Sequence, residues 1–140
     1  PSKGSIEIYD QDLKISYLGH KNAIKNYLTP LENLELLFND AELKIAFEWL
    51  GKFGLLDMQD ELTASLSFGQ QKKLALIRVL AKSSNLMILD EPLVGLDQAT
   101  AGQLSNFLVH KLSEGVGVVL TSHINPMIDC QVLDLGAKNA

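Results

Sequence analysis

Leu86-Met87-Ile88-Leu89-Asp90-Glu91-Pro92 joins a short apolar run to two adjacent carboxylates and a proline. Unbroken apolar runs of this length are typical of strands that are covered on both faces in a parallel sheet. A second run of this kind is Val116-Gly117-Val118-Val119-Leu120. The residues between the two runs place apolar side chains on one helix face: Ala101, Leu104, Leu108 and Leu112. The sequence therefore predicts a strand–helix–strand unit in a parallel sheet, which is the basic unit of an α/β fold.

Three helices are predicted in the residues before Leu86. Thr29-Pro30-Leu31-Glu32 combines the residues of a capping box with a proline in the first helical turn. Asp40 is a plausible cap for the second helix, and the third is expected from about Phe68 to Lys82. Because the third helix is apolar on nearly all sides, we expect it to be buried on more than one face.

Short strand candidates flank these helices. Ile6-Glu7-Ile8-Tyr9 and Lys14-Ile15-Ser16-Tyr17-Leu18 precede them, and residues 131–135 are a candidate for a last strand. We therefore expect three regions: residues 1–20 as the end of the first part of an α/β core, residues 21–83 as an α-helical insert, and residues 84–140 as the second part of the core.

Length and composition restrict the class of protein. The 140 residues fit one domain, and 46% apolar with 21% charged residues exclude extended disorder. A net charge of −5 argues against attraction to nucleic acid, and the single Cys130 fits a reducing compartment. No apolar stretch reaches the roughly 18–20 residues of a transmembrane helix. The start at Pro1, without methionine or signal peptide, is what we expect of a piece cut from a longer protein.

Asp90 and Glu91 are the first candidates for chemistry. Ligands of open α/β sheets bind beyond the carboxyl ends of the strands, where these two carboxylates are expected. Asp90 could hold Mg²⁺ directly or through water, and Glu91 could orient or deprotonate an attacking water. The alternative is a solvated acidic turn that Pro92 ends.

The start of the third predicted helix is a candidate anion site. Leu66-Ser67-Phe68-Gly69-Gln70 sets the unpaired amides of a helix N-terminus beside a hydroxyl, a glycine and a side-chain amide. In this interpretation Gly69 lets a ligand approach the backbone. The alternative is that Ser67 is an N-cap and nothing more.

Two further residues are expected close enough to contact the same ligand. Asp97, in Gly95-Leu96-Asp97, follows the carboxylates in a turn and is also a plausible cap for the helix beginning near Gln98. His123, in Thr121-Ser122-His123, comes directly after the second apolar run, at the carboxyl end of a predicted strand. A lone histidine at such a position is more often an ordinary loop residue.

In this order and at these separations, the motifs resemble the second half of an ATP-binding cassette (ABC) ATPase, over about residues 60–125. The resemblance implies a partial P-loop NTPase of the α/β class, with a parallel sheet core and an inserted α-helical subdomain. It also implies that ATP and Mg²⁺ are bound. Asp90 would then serve Mg²⁺ through water, Glu91 would act on the attacking water, and His123 would contact the γ-phosphate.

The same resemblance assigns the remaining motif residues. The signature motif, which caps the γ-phosphate of ATP held by the opposite subunit of a head-to-tail dimer, would consist of Ser67, Phe68, Gly69 and Gln70. Phe68 replaces the glycine most often found at its position. Asp97 would lie in the loop that communicates between the two sites of the dimer. The implied reaction is in-line phosphoryl transfer, promoted by positioning and electrostatic stabilisation.

A narrower resemblance lies upstream. Tyr17-Leu18-Gly19-His20-Lys21 and Leu28-Thr29-Pro30-Leu31-Glu32-Asn33-Leu34 are similar to the ATP-binding subunit of haem exporters used in bacterial cytochrome c maturation. Most ABC ATPases carry glutamine where His20 stands, at the hinge between core and helical subdomain; an ordinary loop histidine is the alternative. The resemblance implies a peripheral protein on the cytoplasmic face of the inner membrane, where it drives a separate integral membrane subunit.

The phosphate-binding loop of such proteins, Gly-x-x-x-x-Gly-Lys-Ser/Thr, does not occur in these 140 residues. Around the only Gly-Lys pair, Gly51-Lys52, Ala46 stands in place of the first glycine and Phe53 follows the lysine. Residues 2–8 resemble the segment that follows this loop's helix in the family. We therefore expect negligible ATPase activity from this chain alone, and exposed apolar surface where a neighbouring strand is missing.

Other functions stay open at this point. The chain could belong to an ABC transporter with other cargo, or to a soluble ABC ATPase that acts on DNA or the ribosome. A non-catalytic interaction module is a third possibility. The acidic composition and the continuation Gln70-Gln71-Lys72-Lys73 favour a transporter subunit without a nucleic-acid partner.

Overall fold

The fold is that of a computed structural model, which describes residues 7–9 and 11–133. Three strands and four α-helices form the regular structure of the described residues. In chain order they are β1 (Ile15–Leu18), α1 (Pro30–Glu35), α2 (Asp40–Lys52), α3 (Phe68–Leu80), β2 (Leu86–Asp90), α4 (Gln98–Ser113) and β3 (Gly117–Thr121). Two single 3₁₀ turns, Leu56–Met58 and Thr63–Ser65, lie between α2 and α3, where the sequence predicts a loop.

The three strands form one parallel sheet in the order β1-β2-β3. The register sets Leu18 beside Leu89 and Asp90 beside Thr121, so the strands end along one edge of the sheet. Since α4 connects β2 to β3, the predicted strand–helix–strand unit and the α/β class are confirmed. Polar residues that follow β2 and β3 therefore meet at this edge.

One face of the sheet is buried and the other is exposed within the described residues. Met87 and Leu89 of β2 lie in the core, whereas Tyr17 of β1 is 64% exposed and Val119 of β3 is 56% exposed. The prediction of cover on both faces is therefore wrong for β3, whereas Leu86 and Ile88 of β2 are half-buried. Side chains alternate between the two faces of a strand, and the described helices pack against only one of them. The exposed apolar side chains agree with the expectation that this chain alone exposes apolar surface.

The helices begin where side chains satisfy free backbone amides. At α1 the predicted capping box is confirmed: the Glu32 amide donates to Thr29 Oγ1 at 3.1 Å, and the Thr29 amide donates to Glu32 Oε2 at 2.8 Å. At α2 the prediction was wrong by one residue, because Asn39 rather than Asp40 is the cap. The Asn39 side-chain oxygen accepts from the amides of Ala41 and Glu42 at 3.0 Å each, and Asp40 is already helical.

A single hydrophobic core joins the helices to the sheet. α3 packs against α2 on one side and β1 on the other, which confirms its predicted burial on more than one face. Its leucines Leu74 and Leu76 are completely buried, and each such leucine stabilises the fold by about 1.5–3 kcal/mol. Trp49 of α2 packs against the rings of Phe53 and Phe107, 5.0 and 5.3 Å away between centroids. The helices between β1 and β2 thus share a core with the sheet, and the predicted region boundaries stay a prediction.

Two of the predicted strands are not formed in the described residues. Residues 7–9 of the first candidate and 131–133 of the last have no strand structure, and the remaining residues of both candidates lie outside the described part. Apolar side chains such as Ile8 and Val132 are exposed, because neither segment pairs with the three-stranded sheet. Alternating or apolar composition favours a strand, but a strand forms only where a neighbour offers its backbone groups.

Candidate functional site

Thr121 links the two adjacent carboxylate residues at the end of β2. Its hydroxyl donates to Asp90 Oδ1 at 2.6 Å and accepts from the Glu91 amide at 3.0 Å. The sheet register explains the contact, because Asp90 and Thr121 are partners at the last position of β2 and β3. Our sequence interpretation gave Thr121 no role. The sequence feature that could have indicated this contact is that Asp90 and Thr121 each directly follow the apolar run of a strand.

Glu91 and His123, which the sequence places directly after two strands, are in contact. Glu91 Oε1 lies 3.3 Å from His123 Nε2, and the His123 amide donates to Glu91 Oε2 at 3.4 Å. The Glu91 side chain is 21% exposed, whereas the His123 side chain is 94% exposed. The carboxylate is therefore held by the sheet edge, and the imidazole reaches from it into solvent.

The backbone at Glu91 is strained. Its φ is +47°, in the left-handed region that residues with a side chain rarely adopt. The hydrogen bond from the Glu91 amide to Thr121 stabilises this conformation directly after the strand. Strain of this kind is concentrated at functional sites, where it holds a side chain in a required direction. Here that direction is toward His123.

The strand end has the chemistry of a magnesium site that depends on further oxygen ligands. Carboxylates such as Asp90 and Glu91 are the hard oxygen donors that Mg²⁺ prefers. No group of three or more His, Cys, Asp or Glu side chains suited to a metal occurs in residues 7–9 and 11–133. Mg²⁺ characteristically keeps several waters and binds one or two carboxylates together with substrate phosphates. Asp90 therefore fits the predicted role, with waters and a phosphate as the other ligands.

Lys72 is a buried cation that the sequence interpretation missed. It is 4% exposed, and this burial lowers the pKa of its ammonium group. The negative charges of Asp90 and Glu91 act in the opposite direction and favour the charged form. The sequence feature that could have indicated this burial is the position of Lys72 in α3. It lies four residues before the buried Leu76 and therefore on the same helix face. Lys72 offsets part of the negative charge at the strand end.

Ser67 and Gln70 hydrogen-bond to one another at the start of α3. The Gln70 amide donates to Ser67 Oγ at 3.3 Å, and the Ser67 amide donates to Gln70 Oε1 at 2.8 Å. The side-chain Nε2 of Gln70 donates to the sulfur of Met58 at 2.9 Å. Ser67 is thus the N-cap that the alternative interpretation proposed, and a ligand at this helix tip would have to use the capping residues as well.

Gly69 approaches the protein's own backbone. A Cβ at Gly69 would lie 2.8 Å from the carbonyl oxygen of Gly95, and a Cβ at Gly95 would lie 2.6 Å from the Phe68 ring. The space that a Cβ at Gly69 would take is filled by the loop after β2, and the prediction that Gly69 lets a ligand approach its backbone stays a prediction. The Phe68 ring rests over Gly95 and is still 64% exposed. The tip of α3 and the loop that follows Asp90 and Glu91 are packed together.

Asp97 joins three helices. It caps α4 by accepting from the Thr100 amide at 2.8 Å, as the sequence predicted, and it pairs with Lys73 Nζ at 2.7 Å. Lys73 and the Thr100 amide lower the pKa of Asp97 well below its usual range. Lys73 also donates to the carbonyl of Phe53, at the end of α2, at 3.3 Å. The pair therefore ties α2 and α3 to the start of α4.

His20 lies apart from this group. It is exposed, follows β1 and lines a separate pocket beside α3. Within the described residues it makes no hydrogen bond or ion pair with Glu91 or His123. Among the same residues, no helix combines the length and apolar character that a membrane span requires.

Comparison with known proteins identifies the family. The ABC transporter family model matches residues 1–94. A curated relative in Idiomarina loihiensis, the cytochrome c biogenesis ATP-binding export protein CcmA, is 36% identical over 134 residues, covering 88% of this chain and 62% of the relative. The protein of that name in Vibrio cholerae is 37% identical over 127 residues, covering 88% of this chain and 60% of the relative. The chain thus spans about three fifths of these relatives.

Solved structures agree on the fold. One, the structure of an ATP-binding subunit of an ABC transporter, has a TM-score of 0.72 at 25% identity, over 79% of this chain and 48% of the other. A second, a dimeric post-hydrolysis state of the ATP-binding cassette MJ0796 bound to ADP and Pi, has a TM-score of 0.68 at 28% identity, over 80% of this chain and 53% of the other. The predicted partial P-loop NTPase fold of the ABC ATPase type is confirmed, and the chain belongs to the ABC transporter family.

Proposed function

We propose that this chain carries the catalytic carboxylate of an ATP-hydrolysing subunit of an ABC transporter. The observation that supports the proposal most directly is the contact between Glu91 and His123, 3.3 Å apart beyond the ends of β2 and β3. Ligands of parallel α/β sheets bind at this edge. A carboxylate and an imidazole held there can act on the same phosphate group.

The proposed reaction is attack of water on the terminal phosphorus of ATP. Glu91 accepts a proton from the water as its oxygen bonds to phosphorus, the bond to the ADP oxygen breaks, and ADP and phosphate are released. His123 extends from Glu91 into solvent, and in this proposal it hydrogen-bonds the terminal phosphate. When bound at Asp90, Mg²⁺ would supply charge neutralisation to the phosphate oxygens. Thr121 keeps the two carboxylate residues in register.

A second copy of the subunit completes the proposed site. In this proposal the signature residues Ser67, Phe68, Gly69 and Gln70 cap the nucleotide that the opposite copy holds. The fold neighbour MJ0796 is described as a dimer bound to ADP and Pi, which supports a comparable assembly here. Asp97 is joined to α3 by its ion pair with Lys73, and in this proposal it links the two sites of the dimer.

The proposed cargo and location come from the curated relatives. Their printed name, cytochrome c biogenesis ATP-binding export protein, supports a subunit for haem export in cytochrome c maturation. Such a subunit would lie peripherally on the cytoplasmic face of the inner membrane and drive a separate membrane subunit. The region 21–83, with His20 as its hinge, would be the docking surface for that partner, and nucleic acid would have no role.

The phosphate-binding loop is not among these 140 residues. Its backbone amides and lysine normally hold the phosphates of the nucleotide. We therefore propose that the chain on its own has negligible ATPase activity and that the activity belongs to the longer protein. Micromolar binding of ATP by the 140 residues alone would contradict this part of the proposal.

The catalytic role of Glu91 is tested by replacing it with glutamine in the longer protein. Glu91→Gln keeps the shape of the side chain and removes the base, so ATP turnover is expected to fall about 10²–10⁴-fold while ATP binding remains. Glu114→Gln is the matched control, because Glu114 also lies near a histidine, with Oε1 3.5 Å from His110 Nε2, but on the outer end of α4. Equal turnover in the two variants would refute the role of Glu91.

The export role has a separate test. In cells that lack the native gene, holocytochrome c should be lost and should be restored by the wild-type gene but not by Glu91→Gln. Active ATP turnover in the purified protein together with normal cytochrome c in the deletion strain would refute haem export and leave the ATPase proposal standing.

A further inference from the structure

A pocket of about 430 Å³ lies between β1, the segment after it and the second half of α3. Its position is distinct from the strand end that carries Asp90, Glu91 and His123, none of which lines it. A volume of this size is typical of small-molecule sites. The basic side chains of its lining are His20, Lys21, Arg78 and Lys82.

The lining of this pocket is cationic in an acidic chain. The chain as a whole carries a net charge of −5, yet no aspartate or glutamate belongs to the lining. Within the described residues, Lys21, Arg78 and Lys82 form no ion pair with a carboxylate. Other lysines, such as Lys73 and Lys111, do have such partners, each at 2.7 Å. The positive charge of the pocket is therefore left without a counter-charge from the described protein.

Arg78 is the central group. Its Nη1 donates to the carbonyl oxygens of Asn22 and Ala23, and its buried Nε has no hydrogen-bond partner among the described residues. Burial lowers the pKa of the guanidinium, and no neighbouring acid opposes that effect. A planar guanidinium presents several N–H donors in a fixed fork, and a carboxylate or phosphate group matches that geometry.

Ser16 is a second unsatisfied group on the wall of the pocket. Ser16 lies in β1 and is 3% exposed, and its hydroxyl has no hydrogen-bond partner among the described residues. A buried hydroxyl or guanidinium N–H without a partner destabilises the folded state, so most such groups are paired in native proteins. Ser16 and Arg78 both line this pocket, and each has one buried polar atom without a partner among the described residues.

We propose that this pocket binds a small oxyanion, with Arg78, Lys21 and Lys82 as its charged ligands. The common chemistry is an anionic group with at least two oxygens, either a phosphate or a carboxylate. The proposal does not depend on the proposed nucleotide site, because the pocket shares no residue with Asp90, Glu91 and His123. Ala23, with a φ of +51°, turns the loop so that its carbonyl meets Arg78, which fixes the guanidinium at the pocket.

The test is a titration followed by ¹⁵N NMR on the longer protein, with sodium phosphate and sodium acetate in parallel at constant ionic strength. We expect saturable shifts at the amides of Asn22 and Ala23 and at the Arg78 Nε–H. The oxyanion with the lower dissociation constant identifies the ligand class. Shifts confined to residues 90, 91 and 123 would report binding only at the proposed nucleotide site and would overturn this proposal, as would no saturable shift with either salt.

The anion affinity of variants distinguishes a specific binding site from a merely charged surface. Lys82→Gln and Lys21→Gln are each expected to weaken binding by about two- to fivefold, because one exposed charge is lost. Arg78→Lys keeps the charge but removes the fork, and a larger loss, about tenfold, is expected. Lys44→Gln is the control, since Lys44 is exposed on α2 and outside the pocket. Equal weakening by Lys44→Gln and Lys82→Gln would indicate an adventitious ion only and would overturn the proposal.

Discussion

The tip of α3 and the carboxyl edge of the sheet both carry recognisable motifs, but their side chains are used in different ways. At the tip, Ser67 and Gln70 satisfy one another and Gly69 is closed by the carbonyl of Gly95. At the edge, Glu91 has a strained backbone and His123 extends 94% exposed into solvent. The side chains at the tip therefore stabilise the fold, whereas the edge holds Glu91 and His123 beside a strained backbone that other residues must stabilise.

The difference shows that a functional motif can also be a packing motif. The residues of the tip form the cap of α3 and the contact between α3 and the loop after β2, whatever they bind in addition. Substitutions at the tip should therefore change the free energy of unfolding first. Substitutions at the edge should change activity first, because few other groups depend on them.

The largest expected effect on stability is at the two glycines of the tip contact. Gly95→Ala meets both a φ of +81° and the Phe68 ring, and we expect a loss of about 2–4 kcal/mol. Gly69→Ala meets only the Gly95 carbonyl, and about 1–3 kcal/mol is expected. Urea unfolding of the variants measures both values.

Gly102→Ala is the control for this pair. Gly102 lies within α4, and a Cβ there would meet nothing within 4 Å. Because glycine is unfavourable inside a helix, alanine should stabilise the protein by about 0.5–1 kcal/mol. If Gly69→Ala behaved like Gly102→Ala, the close approach of the α3 tip to the loop would be disproved.

Thr121→Val tests the support of the edge. Valine keeps the shape of the side chain and removes the hydroxyl that links Asp90 and Glu91, so about 1–3 kcal/mol of stability should be lost. Thr121→Ser retains the hydroxyl and should retain most of the stability. ATP turnover of the longer protein should fall in the valine variant more than in the serine variant, and equal turnover would show that the link does not position Glu91.

The smallest expected effect concerns the ion pair between Lys73 and Asp97. The pKa of Asp97 is lower in the folded protein than in the unfolded chain, where it is about 4. The ionised Asp97 side chain therefore stabilises the fold fully above about pH 4, and this stabilisation is lost as the pH falls toward the pKa of the folded protein. Asp97→Asn should therefore destabilise the protein at pH 7 and reduce the decline of stability below about pH 4. Urea unfolding at pH 7, 4 and 3 measures this difference.

Lys111→Met is the control for the ion pair. Lys111 pairs with Glu114 at the same distance of 2.7 Å, but it joins residues within α4 rather than different helices. We expect Lys73→Met to destabilise the protein more than Lys111→Met, because Lys73 also bonds the Phe53 carbonyl. The reverse order would show that the junction of α2, α3 and α4 does not depend on Lys73.

The sequence predicts those features that follow from local patterns. The cap at Ser67, the end of β2 at Asp90 and the place of His123 after β3 all follow from apolar runs and the residues that bound them. The parallel register then brings Glu91 and His123 together without further information. These parts of the site could be predicted because neighbours along the chain determine them.

Other features depend on residues that are distant along the chain, and the sequence does not predict them. The use of Gly69 against Gly95, the link through Thr121 and the burial of Lys72 appear only when α3, β2 and β3 are packed. The exposure of Tyr17 shows the same limit, because apolar composition alone does not say which element covers a face. Asn39 displaced Asp40 as a cap because either residue type can cap a helix.

The central claim is that Glu91 of one copy and the α3 tip of a second copy act on the same nucleotide. It is tested most directly by mixing two inactive variants of the longer protein, Glu91→Gln and Ser67→Arg, and measuring ATP turnover. A mixed dimer contains one site with both residues intact, so turnover should recover to about a quarter of the wild-type value if copies exchange freely and sites act independently. No recovery, in a mixture shown to contain mixed dimers, would contradict the claim.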